Sequence, residues 1–121
     1  MAEALTNSNQ PLQAQALLKP LTQQQPSDRY AWQSLQLANE KLAKTTTTPK
    51  LANIATINAL RYRSHDQLWS GRYDAALTSL TQAKQLADNL QNTAQAGSAR
   101  PLLANIKAEI KNVKTAQDFE P

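Results

Sequence analysis

Few side chains in this sequence have the type and spacing to do chemistry. His65, the single histidine, is followed at once by Asp66, which invites reading the two as an acid–base pair. Neighbours on a helix point about 100° apart and do not face each other, so His65 reads instead as a helix-surface histidine. Asp74 stands near a helix start, where complementing the macrodipole is reason enough for a carboxylate. Lys107, Lys111 and Lys114 fall on one helical stripe. That stripe is a solvated face or, in the sharper reading, a surface for an anionic patch on a partner. Tyr62 and Trp69 fall off the inner stripe set by Leu60 and Leu68, so each packs on a neighbouring helix or is exposed for contact, as aromatic hot spots at groove edges are.

Composition narrows the chemistry further. There is no cysteine, which removes disulfides, thiolate metal sites and a cysteine nucleophile. One histidine and two glycines leave no multi-histidine zinc site and no glycine-rich phosphate cradle. The expectation is therefore a non-enzyme with no cofactor. The formal charge is +4, and dividing the chain at residue 60 leaves about +2 on each side, an even spread that argues against nucleic acid as the partner. No run approaches the roughly 18 apolar residues of a membrane span, so no membrane insertion is expected, and the N-terminus has no signal-peptide core. Such a chain stays in the cytoplasm if it is whole.

The elements that must position these side chains are helices. Ala and Leu supply 37 of the 121 residues and Val and Ile only five, so no sheet is expected, and the length suits one domain over 1–121. Residues 1–9 read as a frayed lead-in, with Ala2, Ala4 and Leu5 as the end of an earlier helix. Pro11 opens a first helix with Leu12, Ala14, Leu17, Leu18 and Leu21 at three- and four-residue steps up to Gln25, and Pro20 should kink it or end it early. The turn Pro26-Ser27-Asp28 supplies an N-cap for a second helix with Ala31, Trp32, Leu35, Ala38 and Leu42 on one stripe. The threonines 45–48 end it, because β-branching and the residue before Pro49 disfavour helix.

A third helix runs from Pro49, capped by Thr48, to Ser70, with Leu51, Ile54, Ile57, Leu60, Ser64 and Leu68 inward, and Gly71 stops it. A fourth opens at Arg72-Tyr73-Asp74 and repeats Ala76, Leu77, Leu80, Ala83, Ala87 and Leu90. Ser98 caps a fifth, with Pro101 in its first turn and Leu102, Leu103, Ile106, Ile110 and Val113 inward. Residues 117–121 read as a tail. Short loops make neighbours antiparallel, so the expected fold is all-α, a stack of about five helices in antiparallel hairpins.

The stretch SHDQLWSGRYDAALTSLTQA, residues 64–83, resembles a tetratricopeptide repeat: Ser64, Gly71, Tyr73, Ala76, Leu80 and Ala83 fall on its small, turn, aromatic, small, large and small positions. Small side chains at Ser64 and Ala76 let two helices approach closely, Gly71 takes the turn and Tyr73 fills the space beneath it. A second match, Pro26 to Trp32, ends one repeat on the proline and starts the next at the tryptophan, which assigns Trp32 and Tyr73 to packing. The spacing from Trp32 to Leu60 is 28 residues, shorter than the usual 34, with Arg63 in place of an aliphatic and Asp88 in place of a proline.

The order LLKPLTQQQP, the Trp32 helix, LWSGRYDAALTSLTQAKQL and SARPLLANIKAEIK is similar to the C-terminal repeat domain of the beta-barrel assembly-enhancing protease family, periplasmic zinc metallopeptidases. In that family an upstream catalytic domain carries HExxH. Here His65 is followed by Asp66 and no second histidine exists. The resemblance implies a non-catalytic module, periplasmic as a segment of an exported protease, that binds client polypeptide or the outer-membrane assembly machinery. The alternative is a scaffold packed against the upstream protease domain or a second copy. Repeats of this type line their concave side with the first helix of each hairpin. Carrying those positions over gives Tyr30, Gln33, Leu37 and Glu40 from the second helix and Asn58, Arg61, His65 and Leu68 from the third. Leu68 is already assigned to the core. Arg61 is the expected anchor, its fork taking a carboxylate, and Asn58 holds peptide backbone.

Overall fold

The structure, a computed structural model, describes residues 11–25, 27–91, 93 and 96–119. Those residues form five helices and no strand: α1 (Pro11–Gln24), α2 (Arg29–Thr45), α3 (Pro49–Trp69), α4 (Tyr73–Gln91) and α5 (Ala96–Phe119). Each packs on the next in the chain, giving the expected stack of antiparallel hairpins. The lead-in 1–9, Pro26, Glu120 and Pro121 lie outside the described residues, as do the side chains of Leu12 and Ala14.

Local signals set most boundaries. Asp28 caps α2, its side chain accepting from the Tyr30 N–H at 3.1 Å. Thr46 ends the same helix in extended backbone. Thr48 occupies the N-cap of α3 without a side-chain hydrogen bond, so the fixed φ of Pro49 does the starting. At the far end the Gly71 N–H donates to the Leu68 carbonyl at 3.0 Å and the Arg72 N–H to the Gln67 carbonyl at 2.9 Å, the paired closure of a Schellman motif. Gly71 has φ +78°, where a side chain costs strain.

Four expectations are corrected. Pro20 does not end α1, which continues to Gln24 with the proline on its exposed side. Leu17 and Leu21 are 46% and 44% exposed, because among the described residues α1 packs mainly on α2 and buries Leu18 and Thr22 on its inner side. α5 begins at Ala96, two residues before Ser98, so Ser98 is not its cap and Pro101 lies within the helix. It also runs through Gln117 and Asp118 to Phe119, past the last buried apolar residue, Val113, instead of releasing a tail at 117.

The core has two parts. The larger joins Ile57 of α3 to Ala76, Leu80, Ala83, Ala87 and Leu90 of α4 and to Ala99, Leu102, Leu103, Ile106 and Val113 of α5, with Tyr73 and Leu68 packed against it. Ser64 is buried as well. The smaller consists of Leu18, Ala31, Trp32 and Leu35, with Tyr62 against it. Lying between α2 and α4, α3 is buried on two sides, which is why its buried residues Ala55, Ile57, Ala59, Ser64, Asp66 and Gln67 do not make one stripe. Leu51, expected inward, is 46% exposed near the start of that helix.

Candidate functional site

Among the described residues, α1, α3 and α5 together with Trp32 line a polar cavity that is open to solvent. It has a volume of about 320 Å³ and is lined by Lys19, Thr22 and Gln23 of α1, Trp32 of α2, Arg61, Tyr62 and His65 of α3 and Asn105 of α5. Arg61 and His65 are one turn apart on α3, so their side chains share a face. Trp32 gives that face an aromatic floor: its ring stacks on His65 with centroids 4.0 Å apart and planes 9° apart, and on Tyr62 at 6.0 Å.

A carboxylate from the neighbouring helix closes the arrangement. Arg61 Nε donates to Glu109 Oε1 at 2.6 Å, and His65 Nε2 lies 2.5 Å from Glu109 Oε2. Arg61 Nη1 also donates to Asn58 Oδ1 at 3.0 Å. Burial on its own would push the Glu109 carboxyl up. The His65 hydrogen bond and the Arg61 charge outweigh it and hold the group below its ordinary value. Burial pushes the Tyr62 phenol above its ordinary value; the Arg61 charge opposes this and the Glu109 charge adds to it.

Asp66 looks elsewhere, as the helical geometry of adjacent residues requires. Its Oδ1 accepts from Arg29 Nε at 2.9 Å and from Gln33 Nε2 at 3.1 Å, and Arg72 Nη2 lies 3.7 Å from Oδ2. This buried carboxylate ties the start of α2 and the Gly71 turn to α3. Ser64 donates its hydroxyl to the Arg61 carbonyl at 2.5 Å, one turn back on its own helix.

The residues expected to face a ligand therefore separate. Arg61 and His65 line the cavity, yet the carboxylate expected from a ligand is supplied internally by Glu109, so Arg61 is not a free anchor. Nor is His65 a plain surface histidine, since Trp32 and Glu109 hold its ring on two sides. Asn58 supports Arg61 from outside the cavity lining. Gln33 is turned toward Asp66, Tyr30 is 54% exposed and Leu37 55% exposed, away from the cavity. Glu40 lines a different depression of about 410 Å³ between α2 and α3, with Gln36, Ala43, Lys44, Thr56, Ala59, Leu60 and Arg63. Only two helices build that depression, and it has no aromatic side chain.

The sequence reading did not single out Lys19, Thr22, Gln23, Asn105 or Glu109 for this face. Glu109 had a signal: it stands three residues after Ile106 and four before Val113, on the apolar stripe of its helix, where a carboxylate demands a buried partner. The cavity's α1 wall had none, because the α1 face that turns inward carries Leu18 and Thr22 rather than the leucines on either side.

Among the described residues, no three His, Asp or Glu side chains are grouped to hold a metal ion, and no helix is long and apolar enough to cross a membrane. The cavity presents an ammonium group at Lys19 and hydrogen-bonding amides at Gln23 and Asn105, beside the Trp32 ring that stacks on His65 and Tyr62. No family model matches the chain, and no curated protein or solved structure shows significant similarity to it.

Proposed function

We propose that this chain is a non-catalytic module that binds extended polypeptide in the cavity between α1, α3 and α5. Following its sequence resemblance, it is the repeat domain of a periplasmic metallopeptidase of the beta-barrel assembly-enhancing family. The HExxH-bearing catalytic part would lie outside this sequence, and the ligand would be an outer-membrane client or a segment of the assembly machinery. The observation that carries the reading is the cavity's construction. Four helices converge on it, and it presents amide and ammonium groups of the kind that pair with peptide carbonyls and carboxylates. Glu109 satisfies Arg61 and His65, so ligand contact falls to Lys19, Gln23 and Asn105.

The test is a titration of a fluorescently labelled, urea-unfolded outer-membrane β-barrel polypeptide, diluted from denaturant, with the purified chain. The expected result is saturable binding in the micromolar range, about 8 kcal/mol, weakened about tenfold or more by the double substitution Lys19→Glu, Asn105→Ala. Binding that the double substitution leaves unchanged, or no binding at all, contradicts the assignment.

A second reading, a scaffold against an upstream domain or a second copy, draws on Leu17 and Leu21, two half-exposed leucines one turn apart on the outermost helix. Concentration-dependent self-association in sedimentation velocity, lost in Leu17→Ser, Leu21→Ser, would favour it over polypeptide binding.

A further inference from the structure

The outer rib of α5 carries four exposed cations in line, with one carboxylate at its C-terminal end. Arg100, Ala104, Lys107, Lys111, Lys114 and Asp118 follow one another at steps of four, three, four, three and four residues, so they share one face, and all six are exposed. None of them makes an ion pair among the described residues. Elsewhere Arg29 and Arg72 are engaged by Asp66, Arg61 by Glu109 and Lys84 by Asp88, while Lys44, Lys50 and Arg63 are exposed without an ion pair among the described residues; what sets α5 apart is that its cations recur along one face.

We propose that this rib is a docking surface for an acidic α-helix of a partner polypeptide. The surface is independent of the polar cavity. Its four cations span about 21 Å along the helix axis, four turns of a facing rod. Ala104 lies in the rib and Ala108 beside it, both exposed, and such short side chains let a second helix come close while the lysines reach across to carboxylates. Mixed-sign charge is enough to keep the end of a helical stack soluble; four cations in line over 100–114, with an acid only at 118, go beyond that need and select a partner of opposite sign. Two other classes of anion fit less well. A nucleic-acid surface calls for stacking aromatics or several arginine forks, and this face has one arginine and no aromatic between residues 100 and 118. An anionic bilayer calls for apolar side chains that insert between the cations, and the rib has none larger than alanine.

The experiment uses the full chain and three probes: a helical 21-residue peptide with glutamates at alternating three- and four-residue steps, a 20-base-pair DNA, and vesicles of mixed phosphatidylglycerol and phosphatidylcholine. A second peptide of identical composition but scrambled glutamate spacing is the control. Binding is read by anisotropy at low and high salt, and circular dichroism confirms that the variants keep their helix content. The expected result is that the patterned peptide binds at least tenfold tighter than the scrambled one and than DNA or vesicles. Lys107→Gln, Lys111→Gln, Lys114→Gln should weaken it at least tenfold, and Lys50→Gln, an exposed cation on α3, should leave it unchanged. Equal binding of the two peptides, tighter binding of DNA or vesicles, or an unaffected triple variant would each overturn the proposal.

Discussion

The two parts of the core hold their helices by different means. In the α4–α5 region the interface is mainly apolar: Ala76, Leu80, Ala83, Ala99 and Ile106 have no exposed surface, alternating small and large side chains bring the helices together, and the hydrogen bond from Gln117 Nε2 to Asp74 Oδ1 lies at the exposed rim. Around α2 and the first half of the stack the apolar cluster is only Leu18, Ala31, Trp32 and Leu35, and orientation comes from carboxylates buried on α3 and α5. Asp66 fixes α2 through Arg29 and Gln33, and Glu109 fixes α3 to α5 through Arg61 and His65. An apolar interface supplies stability without choosing much chemistry. A polar one contributes less net free energy yet sets the geometry, because each buried charge tolerates only one set of partners. The candidate site lies in the polar region, where Arg61 and His65 are placed by a partner rather than by bulk packing.

Substitutions can separate the two means. The largest effect is expected in the apolar core, where Leu80→Ala should cost about 3 kcal/mol in urea unfolding, since the surrounding α3, α4 and α5 side chains leave little room to collapse. Leu18→Ala, equally buried, should cost about 2 kcal/mol, because among the described residues α1 packs mainly on α2 and can open locally. Hydrogen exchange should show α1 amides opening at lower free energy than α4 amides. Equal costs and uniform protection would remove the distinction.

Next comes the polar latch. Glu109→Gln should cost about 2 kcal/mol at neutral pH, by leaving Arg61 without its carboxylate. Its pH dependence follows from the depressed Glu109 value. The stabilisation is present above the ordinary glutamate value of 4.5 and is lost as the pH falls through the lower folded value, so the parent chain should lose this contribution in acid and the variant should not. Tyr62 acts at the other end. Its raised value means a contribution present below 10 and lost as the pH rises through the folded value, which Tyr62→Phe should abolish. The smallest effect is at the α3–α4 turn. A Cβ at Gly71 meets nothing within 4 Å, so Gly71→Ala should cost only the left-handed backbone, about 1 kcal/mol by thermal unfolding.

What the sequence made legible follows the same division. The apolar core could be read directly, because Ala76, Leu80, Ala83, Ala87 and Leu90 announce a face by period alone, and the glycine at 71 and proline at 49 punctuate it. The polar half could not, since periodicity says which side of a helix is apolar but not which charged residue on another helix will reach it. Arg61 was recognisable as a carboxylate binder, while the carboxylate itself lay 48 residues away on a helix whose other inward positions are apolar. Leu17 and Leu21 misled for a related reason: a stripe pattern presumes a neighbour, and among the described residues the outermost helix packs mainly on α2. Of the two outcomes expected at Pro20, an early end does not occur, because a proline on the exposed side of a helix forfeits one hydrogen bond without breaking the packed side.

That Arg61 is committed to Glu109, and through it positions the polar cavity, is tested most directly by a double-mutant cycle with Arg61→Met, Glu109→Gln and the two together, each unfolded in urea at neutral pH. The side chains are in contact across α3 and α5, so the cycle should return a coupling free energy of about 1 to 2 kcal/mol. Additivity within about 0.3 kcal/mol would show that the two residues do not act on each other, and the latch would be gone.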